Sequence, residues 1–431
     1  MPSSPATGEL TRSIGLFGAV ALALGIVVGA GMLALPGLVY RETGGLAVLA
    51  WLADAVLVLP LLVIFAALGR KFPSAGGVAG FVGQAFPALK PGVAFVLMGT
   101  FSLGLSGIAV TGASYIANGF GLAPEGARGP IAAVACASLL LVGGLAWAGA
   151  RAAGAVQNAV VTVLVVFLAL VIAASVPAWQ GIDFTAGDTG PAAIWSGMAL
   201  AFFAYTGWEL LAFTAEEMKN PKRDFPLAVA ISLVLVVALY AGAALAVQAL
   251  VPLDDPRLAT APFLAVIKAI FGAGLAVWVL ALAVGGIILA NLNAAIWAAS
   301  RLVFDTARDG QLPRGLGLAR VHGASAAPRG AIAAVALVLI AVSLAWGQGW
   351  LDLDDLLGIA GQNFFLLYVA SVVAYVKIEK RASRRLFGAV AIAVCLVFAG
   401  VWGWTLIYPA VLFAIPYLFG ALARRPAPAG E

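Results

Sequence analysis

The sequence predicts an all-α membrane protein with about twelve transmembrane helices, and three features lead to that prediction. Hydrophobic residues make up 63% of the 431 positions, charged residues make up only 10%, and long apolar runs recur from end to end. A soluble chain of this length needs a larger polar surface, whereas lipid accepts an apolar one. Helices are the required form, because open strands would leave backbone polar groups unpaired in lipid.

The apolar runs can be followed in order along the chain. Ten of them lie between Ser13 and Tyr375, separated by short polar segments. The last run, Leu386–Ala423, contains no charge and would be about 57 Å long as one helix. That length is nearly twice the hydrocarbon thickness, so we expect two spans. The Trp402–Trp404 segment suits the turn between them, because Trp prefers the membrane interface.

The distribution of basic residues predicts the orientation of the helices. With twelve spans, 20 of the 24 Lys and Arg residues fall on one side of the membrane. The positive-inside rule makes that side cytoplasmic, together with the N-terminal segment 1–12 and the C-terminal tail 424–431. The same asymmetry explains the net charge of +5 without a nucleic-acid partner. A bacterial cytoplasmic membrane is the expected location.

Few residues carry reactive chemistry. The only histidine is His322, and the two cysteines, Cys136 and Cys395, lie inside apolar runs. These three residues cannot assemble a zinc-type ligand set, and a disulfide framework is not expected. We therefore expect no metal, no cofactor and no catalytic residues. A membrane enzyme would need a nucleophile, a metal or an acid–base set, which this sequence does not offer.

The first run contains glycines at mid-membrane. Gly25 and Gly29 fit the small-xxx-small spacing of close helix packing. Gly29 and Gly31 also allow a second interpretation, in which the helix breaks and exposes backbone N–H groups to an anionic carboxylate. Spacing alone leaves both interpretations open.

The sixth run ends with a second glycine and an acid. Gly207 lies near mid-membrane, and Glu209 follows it. An ionisable residue in a membrane span is a functional candidate by default, although Glu209 could instead hold a helix break in shape. Breaks in the first and sixth helices are typical of transporters built from two inverted five-helix repeats.

Asp54 is the other unusual charge, because it interrupts the second run. It is either a structural partner for a polar group or a carboxylate that binds and releases a proton during transport. Its partner cannot be named from the sequence.

Four segments resemble hallmarks of the amino acid–polyamine–organocation superfamily. They occur in the family's order and extend over most of the chain. They are the Gly-Ala-Gly of 29–31, the segment Phe202–Glu209, the Glu-x-x-Asn-Pro-x-x-x-x-Pro loop of 217–226, and the Ser-Arg…Ala-Arg-Asp-Gly-x-Leu-Pro segment of 300–313. The segment Gly69–Ala79 also resembles the exporter branch of bacterial methionine and branched-chain amino acid exporters.

The resemblance implies the leucine-transporter fold. Residues 13–182 and 183–376 would form two inverted five-helix repeats, and residues 377–423 would form peripheral helices eleven and twelve. The amino and carboxyl groups of the substrate would bind the unwound parts of helices one and six, with Phe203 as an aromatic lid. The implied substrate-binding residues are Val28, Gly29, Ala30, Gly31, Met32, Phe203, Ala204, Tyr205, Thr206 and Gly207, with Asp54 and Glu209 as coupling or gating candidates.

One departure from the family concerns ion coupling. Proton-coupled relatives often carry a lysine in the fifth helix, after a pair of amides. Here Gln157-Asn158 is followed by no lysine in the span, and Leu164 takes that place. The eighth helix carries Asn291 and Asn293 rather than a hydroxyl pair, so a sodium site is not evident either. Protons remain a candidate coupling ion.

The resulting functional hypothesis is a secondary transporter of neutral, apolar amino acids that works in efflux by alternating access. An uptake permease or an exchanger is the alternative within transport. A membrane sensor that binds an amino acid without moving it is a third hypothesis, although such proteins usually carry a soluble output domain. The expected partners are the amino acid and the lipid bilayer; the sequence does not predict the oligomeric state.

Overall fold

A computed structural model of the chain is almost entirely helical. It describes residues 12–119, 128–185, 193–255, 262–322, 327–398 and 406–423, together with Leu10, Gly190 and Leu258. Within these residues the only β-type pairings are two isolated bridges, Ile14 with Met218 and His322 with Ala327. The predicted all-α class is therefore confirmed.

Sixteen α-helices are found in the described residues, and we number them in chain order. They are α1 (Leu16–Val27), α2 (Ala30–Thr43), α3 (Ala47–Lys71), α4 (Gly77–Ala85), α5 (Lys90–Gly119), α6 (Arg128–Ala148), α7 (Ala150–Ser175), α8 (Ala193–Ala201), α9 (Trp208–Ala212), α10 (Pro221–Leu250), α11 (Pro262–Phe271), α12 (Ala273–Arg308), α13 (Arg329–Gly347), α14 (Leu353–Ile378), α15 (Ala382–Phe398) and α16 (Ile407–Ala423).

The helix lengths account for the predicted number of spans. Eight helical stretches in the described part are long and apolar enough to cross a membrane on their own. The first and sixth spans do not reach that length because each is divided, into α1–α2 and α8–α9. The eleventh and twelfth, α15 and α16, have 17 described residues each. The turn predicted at Trp402–Trp404 lies outside the described residues.

The two divided spans lie inside the bundle. Helix α1 packs against α7, α10 and α12, and α9 packs against α1. Helix α5 crosses the bundle in contact with α12 and α14, while α3 packs along α10. By contrast, α16 packs mainly on α5, at the outside of this arrangement. This packing surrounds the broken segments with the unbroken helices.

Ion pairs between distant segments join loops that the charge alternation assigns to the same side. Lys90 pairs with Asp305 at 3.0 Å, and Arg308 pairs with Glu216 at 2.9 Å, both on the side richer in basic residues. On the opposite side, Arg128 donates to Asp352 at 2.7 Å. The contacts thus follow the predicted alternation of the loops, while the assignment of one side to the cytoplasm stays a prediction.

Candidate functional site

The first break separates α1 from α2 by two residues. Val28 adopts φ −76° and ψ 75°, and Gly29 is extended at φ −116° and ψ −151°. No side chain caps the start of α2 at Ala30, so its first N–H groups are open to a ligand. A Cβ atom at Gly29 would lie 2.8 Å from Asn291 Nδ2, because a neighbouring amide already fills that space.

Side chains from two other helices hold the end of α1. Asn291 on α12 donates its amide to the carbonyl oxygen of Ile26 at 2.5 Å. The hydroxyl of Tyr240 on α10 lies 2.7 Å from the carbonyl oxygen of Val27 and 3.0 Å from that of Ala204. Because one hydroxyl carries one proton, Tyr240 donates to one of these carbonyls at a time. Tyr240 therefore links the first break to the second.

The second break extends over six residues between α8 and α9. A single 3-10 turn, Phe202–Tyr205, follows α8. Gly207 then adopts φ 112°, a left-handed conformation that a residue with a Cβ atom rarely accepts. A Cβ atom there would also lie 2.9 Å from Ile26 Cγ2, so the two breaks meet at this glycine.

Glu209 is buried just after the second break. Its Oε2 atom accepts hydrogen bonds from the Gly207 N–H at 3.2 Å and from the Tyr368 hydroxyl on α14 at 2.6 Å. Among the described residues Oε1 has no hydrogen-bond donor. The carboxyl group thus ties the backbone of the break to α14.

Asp54 is fully buried on α3, and neither of its carboxyl oxygens accepts a hydrogen bond from the described part of the chain. It lies one turn from Trp51, whose ring centroid is 5.9 Å from that of Tyr205 and 5.0 Å from that of Tyr240. The Tyr205 hydroxyl donates to the Trp51 carbonyl oxygen at 3.2 Å, one helical turn before Asp54. Asp54 is therefore connected through Tyr205 to the second break.

A cavity lies between the two breaks and the helices α5 and α14. It encloses about 80 Å³, several times the roughly 10–15 Å³ that one water needs by this measure. No charged side chain is among the described residues that line it, and Asn291 and two threonines supply the polar side chains. The lining comprises Ile26, Val27, Gly29, Gly31, Thr100, Gly104, Leu105, Ile108, Ala204, Thr206, Gly207, Leu210, Asn291, Ala360 and Phe364.

The structure brings only part of the predicted binding set to this cavity. Of the ten residues, Gly29, Gly31, Ala204, Thr206 and Gly207 line it. The other described members are absent from the lining and are buried beside it: Val28, Met32 and Tyr205. The side chains of Ala30 and Phe203 lie outside the described residues, so the lid role of Phe203 stays a prediction.

Sequence reasoning missed the contributions of α5, α10 and α14. Gly104, Ile108 and Phe364 lie in the charge-free middle parts of α5 and α14, where no residue type stands out. The sequence does not single out Tyr240 either, because it is one tyrosine in an otherwise apolar run. Asn291 is a polar residue of the eighth span in the sequence, and the structure adds its contact with the first break.

Neutral amides fill the space behind the first break. Asn293 Nδ2 donates to Gln157 Oε1 at 2.8 Å, and Gln157 Nε2 donates to the Ala21 carbonyl oxygen at 3.3 Å. A Cβ atom at Gly25 would collide with Gln157 Nε2 and lie 3.1 Å from Val161 Cγ2. Amide and aliphatic groups of α7, rather than a cation, thus face this part of α1.

Two of the motif segments meet on the basic-rich side of the protein. Glu217 accepts hydrogen bonds from Arg301 at 2.5 and 2.9 Å, and also from Trp297 Nε1 at 2.8 Å. The Glu217 carbonyl oxygen accepts the N–H of Ser13 at 2.9 Å. This buried ion pair joins the loop after α9 to the end of α12 and to the segment before α1. Beside it, a polar cavity of about 590 Å³ opens between α1, α7 and α12.

Two broken helices around a membrane-level cavity define a multi-pass transporter with discontinuous helices. The amino acid permease family model matches residues 14–423, so the chain belongs to that family. Its similarity to a solved structure of MhsT in complex with L-phenylalanine has a TM-score of 0.66 at 17% identity, over 90% of this chain and 98% of the other. The predicted leucine-transporter fold is thereby confirmed.

Curated relatives extend over nearly the same length. The chain is 29% identical to the L-methionine/branched-chain amino acid exporter YjeH of Escherichia coli K12, over 97% of this chain and 98% of the relative. It is also 29% identical to the uncharacterized amino acid permease YecA of Bacillus subtilis, over 95% and 96% of the two chains. The protein is therefore an amino acid transporter of the membrane and not an enzyme.

Proposed function

We propose that this protein exports neutral, apolar amino acids across a bacterial cytoplasmic membrane by alternating access. The observation that carries this proposal is the cavity between the two breaks. Its described lining has no charged side chain, and it is apolar apart from Asn291 and two threonines. A cationic or anionic side chain would lack a partner there, and burying an unpaired charge is costly.

The main-chain groups of the substrate would bind the two breaks. The α-carboxylate would accept N–H groups from the start of α2 at Ala30 and Gly31, where the helix dipole also favours an anion. The ammonium group would donate to carbonyl oxygens at the ends of the broken helices. The Val27 carbonyl oxygen already accepts the Gly29 N–H at 2.8 Å, so the Ala204 carbonyl oxygen would be such an acceptor whenever Tyr240 donates to Val27.

The substrate side chain would lie against α5 and α14. Leu105, Ile108 and Phe364 supply apolar contacts, and Gly104 with Ala360 provides the space. A Cβ atom at Gly104 would lie 3.1 Å from the Ala360 Cβ, so a methyl group there would fill this corner. These dimensions favour side chains such as those of leucine, isoleucine, valine and methionine.

Export is supported by the exporter named among the relatives and by the resemblance of Gly69–Ala79 to that branch. Reconstituted proteoliposomes would test the proposal with labelled leucine, methionine, lysine and glutamate, with and without a pH gradient. We expect flux of the neutral amino acids, together with a lower cytoplasmic pool of one of them on overproduction. Flux of lysine with unchanged neutral pools would support the alternative, an uptake permease.

Asp54 is the better candidate for a proton carrier than Glu209. Glu209 is held by the Gly207 N–H and the Tyr368 hydroxyl, whereas Asp54 has no hydrogen-bond donor in the described residues. An ionised carboxylate without a donor is unfavourable in the interior, so Asp54 would hold a proton in this conformation. Tyr205 and Tyr240 are the titratable groups of the adjacent aromatic cluster, and neither is a cation.

The conservative variant Asp54→Asn tests this assignment, because it keeps the size of the side chain but cannot ionise. Binding of leucine should be retained while the response of leucine flux to a pH gradient disappears. Glu209→Gln is the matched comparison and should keep that response. A normal pH-gradient response in Asp54→Asn would remove Asp54 from coupling.

The proposed orientation places both termini and the loop containing Arg320 in the cytoplasm. In a variant without Cys136 and Cys395, single cysteines at Arg320 and at the exposed Trp350 should react with an impermeant reagent from opposite sides. Labelling of both positions from outside the cell would overturn this orientation.

A further inference from the structure

Seven basic side chains form one exposed patch on the side that we assign to the cytoplasm. They come from the end of α3, the end of α14, the turn that follows it and the start of α15, and α3 packs against both α14 and α15. We call this set the basic patch; its members are Arg70, Lys71, Lys377, Lys380, Arg381, Arg384 and Arg385.

A single carboxylate links the two parts of the basic patch. Glu379 lies 3.8 Å from Lys71 Nζ and 3.2 Å from Arg384 Nη1. In the described residues it is the one acidic group paired with these seven cations, so a large positive excess remains. The patch therefore attracts an anion that the protein itself does not supply.

Some other basic residues on the same side are neutralised within the protein. Arg301 is paired with Glu217, and Lys90 is paired with both Asp305 and Asp309. The exposed Lys222, Arg223 and Arg320 lie in two separate segments of that side, whereas the basic patch combines seven exposed cations. The charge of the basic patch is thus a local feature beyond the positive-inside asymmetry.

An apolar, outward-facing surface lies next to the basic patch. On α15, Leu386 is 67% exposed and Val390 is 50% exposed, four residues apart on one helix face. On the neighbouring α14, Val373 is 39% exposed. These side chains face lipid in a membrane, directly beyond the charged turn.

The turn that carries the charges is held in place. Arg385 Nε donates to the carbonyl oxygen of Val376 at 3.3 Å. A Cβ atom at Gly388 would lie 3.3 Å from Tyr375 Cδ1 and closer still to Val376 Cγ2, so α15 packs tightly on α14 at this point. The backbone that carries the charges is therefore in place before a ligand binds, and the exposed side chains are what binding would order.

We propose that the basic patch binds the headgroup of an anionic phospholipid from the cytoplasmic leaflet, with its acyl chains along Leu386 and Val390. Lysine and arginine suit a lipid phosphate, and clusters of four to eight such residues beside a span favour anionic lipids. A soluble anionic partner would not account for the adjoining apolar surface. The lipid bridges α3, which carries Asp54, and α14, which lines the cavity.

Binding can be measured on the purified full chain in detergent, with fluorescent phosphatidylglycerol and fluorescent phosphatidylcholine as probes. We expect about a tenfold preference for phosphatidylglycerol, weakened by salt. The triple variant K377Q/K380Q/R381Q should lose most of this preference, whereas K377R/K380R should keep it. The matched control K222Q/R223Q/R320Q removes three exposed charges from other segments of the same side and should bind lipid like the wild type.

Equal retention of the two lipids by the wild type would overturn the proposal, as would an equal loss of preference in the control. Displacement of the lipid by inorganic phosphate at the same concentration would show a simple anion site and would also overturn it. Any change in leucine flux caused by phosphatidylglycerol in vesicles would depend on the proposed function, but the lipid-binding assay does not. A failure of the lipid proposal can therefore be distinguished from a failure of the proposed transport function.

Discussion

The two helix breaks differ in length and in what stabilises them. The first has two residues, Val28 and Gly29, and is held by neutral donors from α10 and α12. The second has six residues and is held by an acidic side chain of its own span, Glu209, with help from Tyr368. The first break therefore leaves its helix N-terminus open for an anion, whereas Glu209 already occupies the N–H side of the second.

This difference suggests a division of labour. The start of α2 would bind the carboxylate of the substrate, while the second break would change shape between the two access states. Tyr240 and the contact between Gly207 and Ile26 hold the two breaks next to each other. Variants of each break should therefore affect different measurable quantities, namely affinity for the first and flux for the second.

The largest effect is expected for Gly207→Ala. The φ of 112° and the 2.9 Å approach to Ile26 Cγ2 both oppose a methyl group. A strain of about 2 kcal/mol corresponds to a loss of leucine flux of about 30-fold. Gly144→Ala is the matched control, because its Cβ would meet no atom within 4 Å. Wild-type flux in Gly207→Ala would contradict the conformational role of the second break.

Gly31→Val should weaken substrate binding by about tenfold while leaving membrane insertion unchanged. A Cβ atom at Gly31 would lie 3.2 Å from the Ala204 Cβ, and the branched side chain would extend into the cavity. Equilibrium binding of labelled leucine measures the effect, and Gly144→Val controls for the added bulk. Unchanged affinity would remove the first break from the binding site.

Glu209→Gln should lower leucine flux by about fivefold, since it weakens charge-assisted hydrogen bonds from Gly207 and Tyr368. The dependence of flux on pH should keep its shape, because the role of Glu209 is to hold the break. Initial rates across a series of pH values separate the two effects. Loss of the pH dependence in this variant would instead make Glu209 the titrating group.

The smallest effect is expected for Tyr240→Phe, which removes one shared donor to Val27 and Ala204. A net loss of about 0.7 kcal/mol corresponds to a decrease in flux of about threefold. The ring packing against Trp51 would remain, so folding should be unaffected. A decrease as large as that of Gly207→Ala would show that the breaks depend on this hydroxyl more than on the glycine.

Hydrophobic length and the charge pattern predicted the all-α membrane fold directly. The glycine spacing alone left the first break open, and the family resemblance located both breaks. The sequence did not predict most of the cavity wall. The contributions of Gly104, Ile108 and Phe364 depend on which face of an apolar helix points inward, and helices that are apolar all round do not reveal that face. Gly207 could be identified as a candidate for the break because it comes two residues before Glu209. The role of Tyr240 depends on its contacts with Val27 and Ala204, which only the structure shows.

The most direct test of the account is an experimental structure of the protein with L-leucine bound. The carboxylate should lie within hydrogen-bond distance of the Gly31 N–H, and the side chain should contact Ile108 and Phe364. Leucine bound instead in the polar cavity near Arg12 and Lys219, with no ligand between the two breaks, would contradict the proposed site.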